Sequence, residues 1–137
     1  MIVADTGAVL ALLDRGDRHH RILKSLYGED PDDWILPWAI LPEVDYLAGS
    51  QLGPKAGEAF LADLAEGLFH VEWGVDADLS RADAICRRYR ALKLGLVDAV
   101  VIAIAERRRA DAIATLDLRH FGAVSIKGGP RLVPRDA

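Results

Sequence analysis

Apolar positions in this chain fall into two kinds of run, short unbroken ones and longer ones spaced by three and four. Ile2 to Ala4 is an apolar triplet followed by Thr6-Gly7 and the helix-like AVLALLD, so a strand feeding a helix is expected at the start. Asp17 is then placed to cap a second helical stretch carrying Ile22, Leu23 and Leu26, with Gly28 ending it. Trp34 to Leu36 reads as a short strand, Pro37 opens a helix through about Leu52, and Pro54 opens another through Gly67. Phe69 to Glu72 is a further strand, and Asp76 to Leu92 a helix with Arg81, Arg87, Arg88 and Arg90 on its outer face.

The stretch LVDAVVIAIA, Leu96 to Ala105, is apolar on every side except at Asp98. Its β-branched content would suit a strand. However, ERRR at 106–109 extends it and puts cations at its C-terminal end, as the helix dipole favours, so it reads as a central helix. Ala112 to Thr115 follows as a buried strand, Val124 to Ile126 as an edge strand, and Gly128-Gly129-Pro130 as a turn into the tail. Strands alternating with helices predict a parallel sheet covered on both faces, with ligands bound outside the strands' carboxyl ends. With no repeat, low-complexity segment or linker, residues 1–137 are expected to form a single domain.

Composition narrows the function. The chain is 51% hydrophobic with a mean hydropathy of +0.12, yet its longest apolar run, Ala99 to Ala105, is far short of the ~20 residues of a membrane span. MIVAD carries no basic leader, and Asp5 interrupts any apolar core, so a cytoplasmic protein is expected. The single cysteine, Cys86, excludes an internal disulfide and a multi-cysteine zinc site. The absence of a Walker A loop and of GxGxxG argues against a nucleotide switch. A net charge of −4 argues against a generic nucleic-acid binder, unless acids serve as metal ligands. Two divalent ions would bring that charge to zero.

Four acids fit that exception. Asp5 follows the first strand and Asp117 the strand AIAT. Glu43 lies in the first turns of the helix after the second strand, and Asp98 begins the apolar helix. Helix N-termini and strand carboxyl ends share one edge of a parallel sheet, so the four can converge. Taken singly, Asp5 and Asp98 read as helix caps, Asp117 as a turn residue and Glu43 as part of a solvated face. Taken together, clustered carboxylates repel one another and call for cations. Oxygen ligands without thiolate or obligatory histidine select Mg²⁺ or Mn²⁺, which activate water and neutralise phosphoryl charge.

DTG at 5–7, PEVDYL at 42–47, LGLVDAVVIAIA at 94–105 and TLDLRHF at 115–121 together resemble the PIN-domain ribonucleases, and within them the VapC-type toxins of toxin-antitoxin pairs. The resemblance implies a three-layer α/β/α PIN-like domain with a central parallel sheet. It also implies Mg²⁺- or Mn²⁺-dependent endonucleolytic cleavage of structured RNA (tRNA or rRNA), 5′-phosphate and 3′-hydroxyl ends, a cognate antitoxin and a homodimer. The family's catalytic and metal-binding acids fall on Asp5, Glu43, Asp98 and Asp117, and its supporting hydroxyls on Thr6 and Thr115. Pro42 departs from the pattern and is tolerable only near a helix start.

Other polar residues carry less. His19-His20 reads as the polar side of its helix, and His120, near Asp117, reads as surface packing in preference to a substrate contact. Asp45 is turned roughly 200° from Glu43 on a helix. The arginines at 87, 88, 90, 107, 108 and 109 read as solvated faces, while Arg15, Lys93 and Arg119 are the first choices for RNA phosphate contacts. Two other readings compete. A haloacid-dehalogenase-like phosphatase with Asp5 as nucleophile fits poorly, because Gly7 stands where such sites carry a second acid. A non-catalytic, acid-lined metal- or RNA-binding module requires an activity test to exclude.

Overall fold

The computed structural model describes residues 1–137. Its centre is a five-stranded sheet, parallel throughout, in the order β3-β2-β1-β4-β5. The strands are β1 (Ile2–Ala4), β2 (Trp34–Pro37), β3 (His70–Glu72), β4 (Ala112–Ala114) and β5 (Arg131–Val133). Ile2 stands opposite Trp34 on one side and Ala112 on the other, and Val3 opposite Ile35 and Ile113. These three inner strands are unbroken apolar runs because both faces of a parallel sheet are covered.

The helices are α1 (Thr6–Leu13), α2 (His20–Glu29), α3 (Leu41–Leu52), α4 (Pro54–Ala65), α5 (Asp76–Arg88), α6 (Leu96–Arg107) and the short α7 (Leu118–Phe121). The α6 helix lies against β1 and β2 and packs along α5. Helix α1 packs on α2 and α3, and α3 on α4. The result is the expected α/β/α layering. Every residue from Ala99 to Ala105 is at most 2% exposed, so α6 is the central helix its all-round apolarity predicts. Each of its buried Val and Ile side chains contributes roughly 1.5–3 kcal/mol.

Several boundaries differ from the sequence reading. Pro37 ends β2 with φ −60° and ψ 140°. A 3₁₀ turn at Trp38–Ile40 follows, and α3 starts only at Leu41. Pro42 therefore sits in the first turn of α3, where its missing N–H breaks no intrahelical bond, and Glu43 follows it in that turn. Helix α2 begins at His20, because Asp17 spends its carboxylate on its own turn, accepting from the His19 N–H at 2.7 Å. Helix α5 stops at Arg88. Tyr89 leaves helical geometry, and Arg90–Leu92 forms a separate 3₁₀ turn.

Val124–Ile126 is not a strand. The edge strand is Arg131–Val133, in the tail beyond the Gly128-Gly129-Pro130 turn, where the sequence reading placed no strand. Gly128 and Gly129, at φ +86° and +58°, adopt left-handed backbone suited to glycine and precede the return beside β4. No helix is long and apolar enough to cross a membrane.

Candidate active site

The end of β1 delivers Asp5, whose backbone N–H donates to the Ala114 carbonyl at 2.8 Å and so ties it to the neighbouring strand. The end of β4 delivers Thr115, 1% exposed. Its hydroxyl donates to Asp5 Oδ2 at 3.0 Å and accepts from the Asp117 N–H at 3.0 Å, so one buried side chain joins two acids. Asp117 caps α7, its Oδ1 accepting from the His120 N–H at 3.1 Å. Asp98 lies in the first turn of α6, not at its cap, and Asp5 occupies the cap position of α1 without a side-chain capping bond. Exposed Glu43 approaches from the first turn of α3.

Asp5, Glu43, Asp98 and Asp117, together with Thr6, line one cleft of about 520 Å³. Neither Asp5 nor Asp98 makes the capping bond its single reading calls for, whereas Asp117, read singly as a turn residue, does cap α7 and also lines the cleft.

Burial dominates the electrostatics. It pushes the Asp5 carboxyl up to about 6, against hydrogen bonds from the Thr6 backbone and the Thr115 hydroxyl, with the Asp98 and Asp117 charges adding to the rise. Burial also raises Asp98, opposed by His120 and reinforced by Asp117 and Glu43. No lysine or arginine pairs with any of the four acids. Their sole basic neighbour is His120, whose Nδ1 lies 2.9 Å from Asp98 Oδ2 and 3.0 Å from Asp117 Oδ2. The Thr6 hydroxyl is buried with no hydrogen-bond partner. Clustered carboxylates, beside a cleft-lining threonine whose buried hydroxyl has no partner, form a hard-oxygen donor set that fits Mg²⁺ or Mn²⁺.

His120 lies near Asp117 as expected, but it bridges Asp117 and Asp98 in place of surface packing, a role the sequence reading missed. The available signal was its spacing: three residues after a capping aspartate, a side chain falls back onto that aspartate. His20 also differs from the expected polar face, its Nδ1 lying 2.8 Å from the Ala11 carbonyl, and His19 sits half-buried beside Asp17. Asp45 lines an apolar groove with Phe60, Leu61 and Trp73, away from the acids.

Among the expected phosphate contacts, exposed Lys93 lies in the turn before α6, and exposed Arg119 lies on α7, so both neighbour acid-bearing segments. Arg15 lines a separate groove with Leu13 and Lys24. Arg107 and Arg108 are exposed as expected, but both are engaged in ion pairs. Arg107 binds Asp78 through two nitrogens at 2.8 and 3.0 Å, and Arg108 pairs with Glu72. Arg81 likewise turns from the outer face to grip Glu106 at 2.7 and 3.1 Å.

Comparison with known proteins agrees with this architecture. The PIN domain profile matches residues 2–127. The ribonuclease VapC26 of Mycobacterium tuberculosis is 31% identical over 130 residues, which cover 95% of this chain and 96% of that protein. Among solved structures, that of Mycobacterium tuberculosis VapC20, described as a sarcin-ricin loop cleaving toxin, matches with a TM-score of 0.81 at 23% identity. The match covers 93% of this chain and 98% of that one. FitAcB from Neisseria gonorrhoeae matches with a TM-score of 0.64 at 18% identity over 96% of each chain, a likeness of fold. The domain match and the VapC26 alignment each span nearly the whole chain, and on them the chain belongs to the PIN-domain family, in its VapC-type branch.

Proposed function

We propose that this chain is a divalent-metal-dependent endoribonuclease that cleaves structured RNA, transfer or ribosomal, and acts in the cytoplasm as the homodimeric toxin of a toxin-antitoxin pair. The observation that carries the reading is the convergence of Asp5, Glu43, Asp98 and Asp117 on one cleft with no arginine or lysine to neutralise them. Such a cluster repels an RNA phosphate unless a cation is held there. Mg²⁺ or Mn²⁺, when bound, supplies Lewis acidity toward a phosphodiester and lowers the pKa of water.

The chain's own residues do the positioning. Asp5, Asp98 and Asp117 would hold the ion and Glu43 would close the donor set from α3. Thr115 fixes the Asp5 carboxylate from behind through its 3.0 Å hydrogen bond. Lys93 and Arg119 are exposed beside the acid-bearing segments and would take flanking phosphates. The names of two similar proteins, a ribonuclease and a sarcin-ricin loop cleaving toxin, support RNA as the substrate class.

An antitoxin has a suitable surface in the groove of about 420 Å³ beside α3 and α4. Its rim carries Trp73 and Leu61, 74% and 63% exposed, the kind of apolar patch a partner covers.

The test is cleavage of total bacterial RNA by the purified chain, with sequencing of the ends. Cleavage at a discrete structured site, leaving 5′-phosphate ends with Mn²⁺ and none in EDTA, is expected. RNA binding without cleavage would leave a non-catalytic module instead. Metal alone should also raise native stability, by about 2.7 kcal/mol at one hundred times its dissociation constant.

A further inference from the structure

The histidine between the acids has a further consequence for the chemistry of the site. His120 Nδ1 stands 2.9 Å from Asp98 Oδ2 and 3.0 Å from Asp117 Oδ2, and donor atoms of these three residues all lie within 4.8 Å of one another. Adjacent ligands of an octahedral ion with bonds of ~2.1 Å are separated by about 3 Å, so both contacts to the ring nitrogen already have the length of an octahedral edge. The segment carrying the ring is also held in place. The His120 backbone N–H donates to Asp117 Oδ1, and the next residue, Phe121, is 1% exposed and anchors α7 in the core. Independently, Thr6, whose hydroxyl is buried and unpartnered, is among the residues lining the cleft of the four acids.

We propose that His120 is a nitrogen ligand, joining Asp98 and Asp117 on the ion, and that it biases the site toward Mn²⁺ over Mg²⁺. The inference rests on the metal-dependent reading above. It departs from the all-oxygen donor set expected from the acids alone. Imidazole nitrogen binds first-row transition ions in preference to Mg²⁺, which favours oxygen and retains its waters. Without the ion, the same ring nitrogen hydrogen-bonds Asp98 and lies beside the Asp117 carboxylate, so the donors are arranged before the metal arrives.

The test uses the full chain and Mn²⁺ alone, read by pulsed electron paramagnetic resonance, with no RNA present. Bound Mn²⁺ should show coupling to one histidine nitrogen. The coupling should change on labelling with ¹⁵N-histidine, be lost in His120→Gln and persist in His19→Gln. Calorimetric preference for Mn²⁺ over Mg²⁺ should fall about tenfold or more in His120→Gln. Bound Mn²⁺ without histidine coupling, or with coupling unchanged in His120→Gln, would overturn the ligand assignment and leave the metal-dependent nuclease standing. Failure of the wild-type chain to bind Mn²⁺ at all would overturn both. The labelling measurement decides the point without any variant that might fold poorly.

Discussion

The two ends of α6 hold buried carboxylates in opposite circumstances. At the C-terminal end, Glu106 accepts two hydrogen bonds from Arg81 and one from the Lys127 N–H, while Arg107 clamps Asp78 and reaches Glu72 at 3.3 Å. Burial alone would push Glu72, Asp78 and Glu106 upward. The arginines and backbone donors hold all three below the usual carboxylate range. At the N-terminal end, Asp98 faces Asp117 and Glu43 with His120 as its only basic partner, and its carboxyl is raised, as is that of Asp5. One helix thus carries a neutralised cluster that fastens α5, β3 and the 125–127 segment to the core, and a cluster left negative. The first favours stability, and the second sets like charges against one another, which a cation would relieve on the proposed reading.

Breaking the neutralised end should have the largest effect on stability. Arg107→Met leaves Asp78, with a side chain 4% exposed, facing no guanidinium, and should cost about 3 kcal/mol in urea or thermal unfolding. RNA cleavage per folded molecule should be retained, since Arg107 is at the far end of α6 from Asp98.

The negative end should respond with the opposite sign. Asp5 has a folded-state pKa of about 6 against an ordinary value of 3.8, so the native state binds the extra proton between these values and loses stability as pH rises through them. Ionisation therefore costs up to about 3 kcal/mol above pH 6 in EDTA. Asp5→Asn, measured against wild type across this range, should be the more stable protein above pH 6, with the advantage vanishing toward pH 3.8. Saturating Mn²⁺ should reverse the ranking.

The smallest effect is expected where a cation and an acid meet in solvent. Arg87 and Asp83 form an i,i+4 pair with side chains 69% and 63% exposed, and Arg87→Ala should change unfolding free energy by no more than about 0.5 kcal/mol. A cost comparable to Arg107→Met would mean that burial is not what separates the two ion pairs.

These two clusters were unequally legible in the sequence. Asp5 and Asp98 adjoin unbroken apolar runs and Asp117 closely follows the strand AIAT, and the β/α alternation places such boundaries on one sheet edge. The Arg107–Asp78 and Arg81–Glu106 pairs join residues 29 and 25 positions apart, and helical spacing within α6 carries no trace of such partners. His120 is placed near Asp117 by sequence alone, but its contact with Asp98 was hidden because α7 is four residues long, too short for periodicity to reveal its face. β5 escaped for a similar reason, with only Leu132 and Val133 buried between exposed Arg131 and half-buried Pro134. Pro37 gave a misleading signal, since a fixed φ near −60° serves the end of a strand as well as the start of a helix.

The central claim is that the uncompensated end of α6 is a cation-dependent catalytic centre, and Asp98→Asn tests it most directly. The change preserves shape and withdraws one carboxylate from the cluster. With Mn²⁺ present, RNA cleavage by the folded variant should fall by about two orders of magnitude or more. Asp45→Asn, on the apolar groove, should cleave like wild type. An Asp98→Asn protein that folds and cleaves RNA at the wild-type rate would contradict the account.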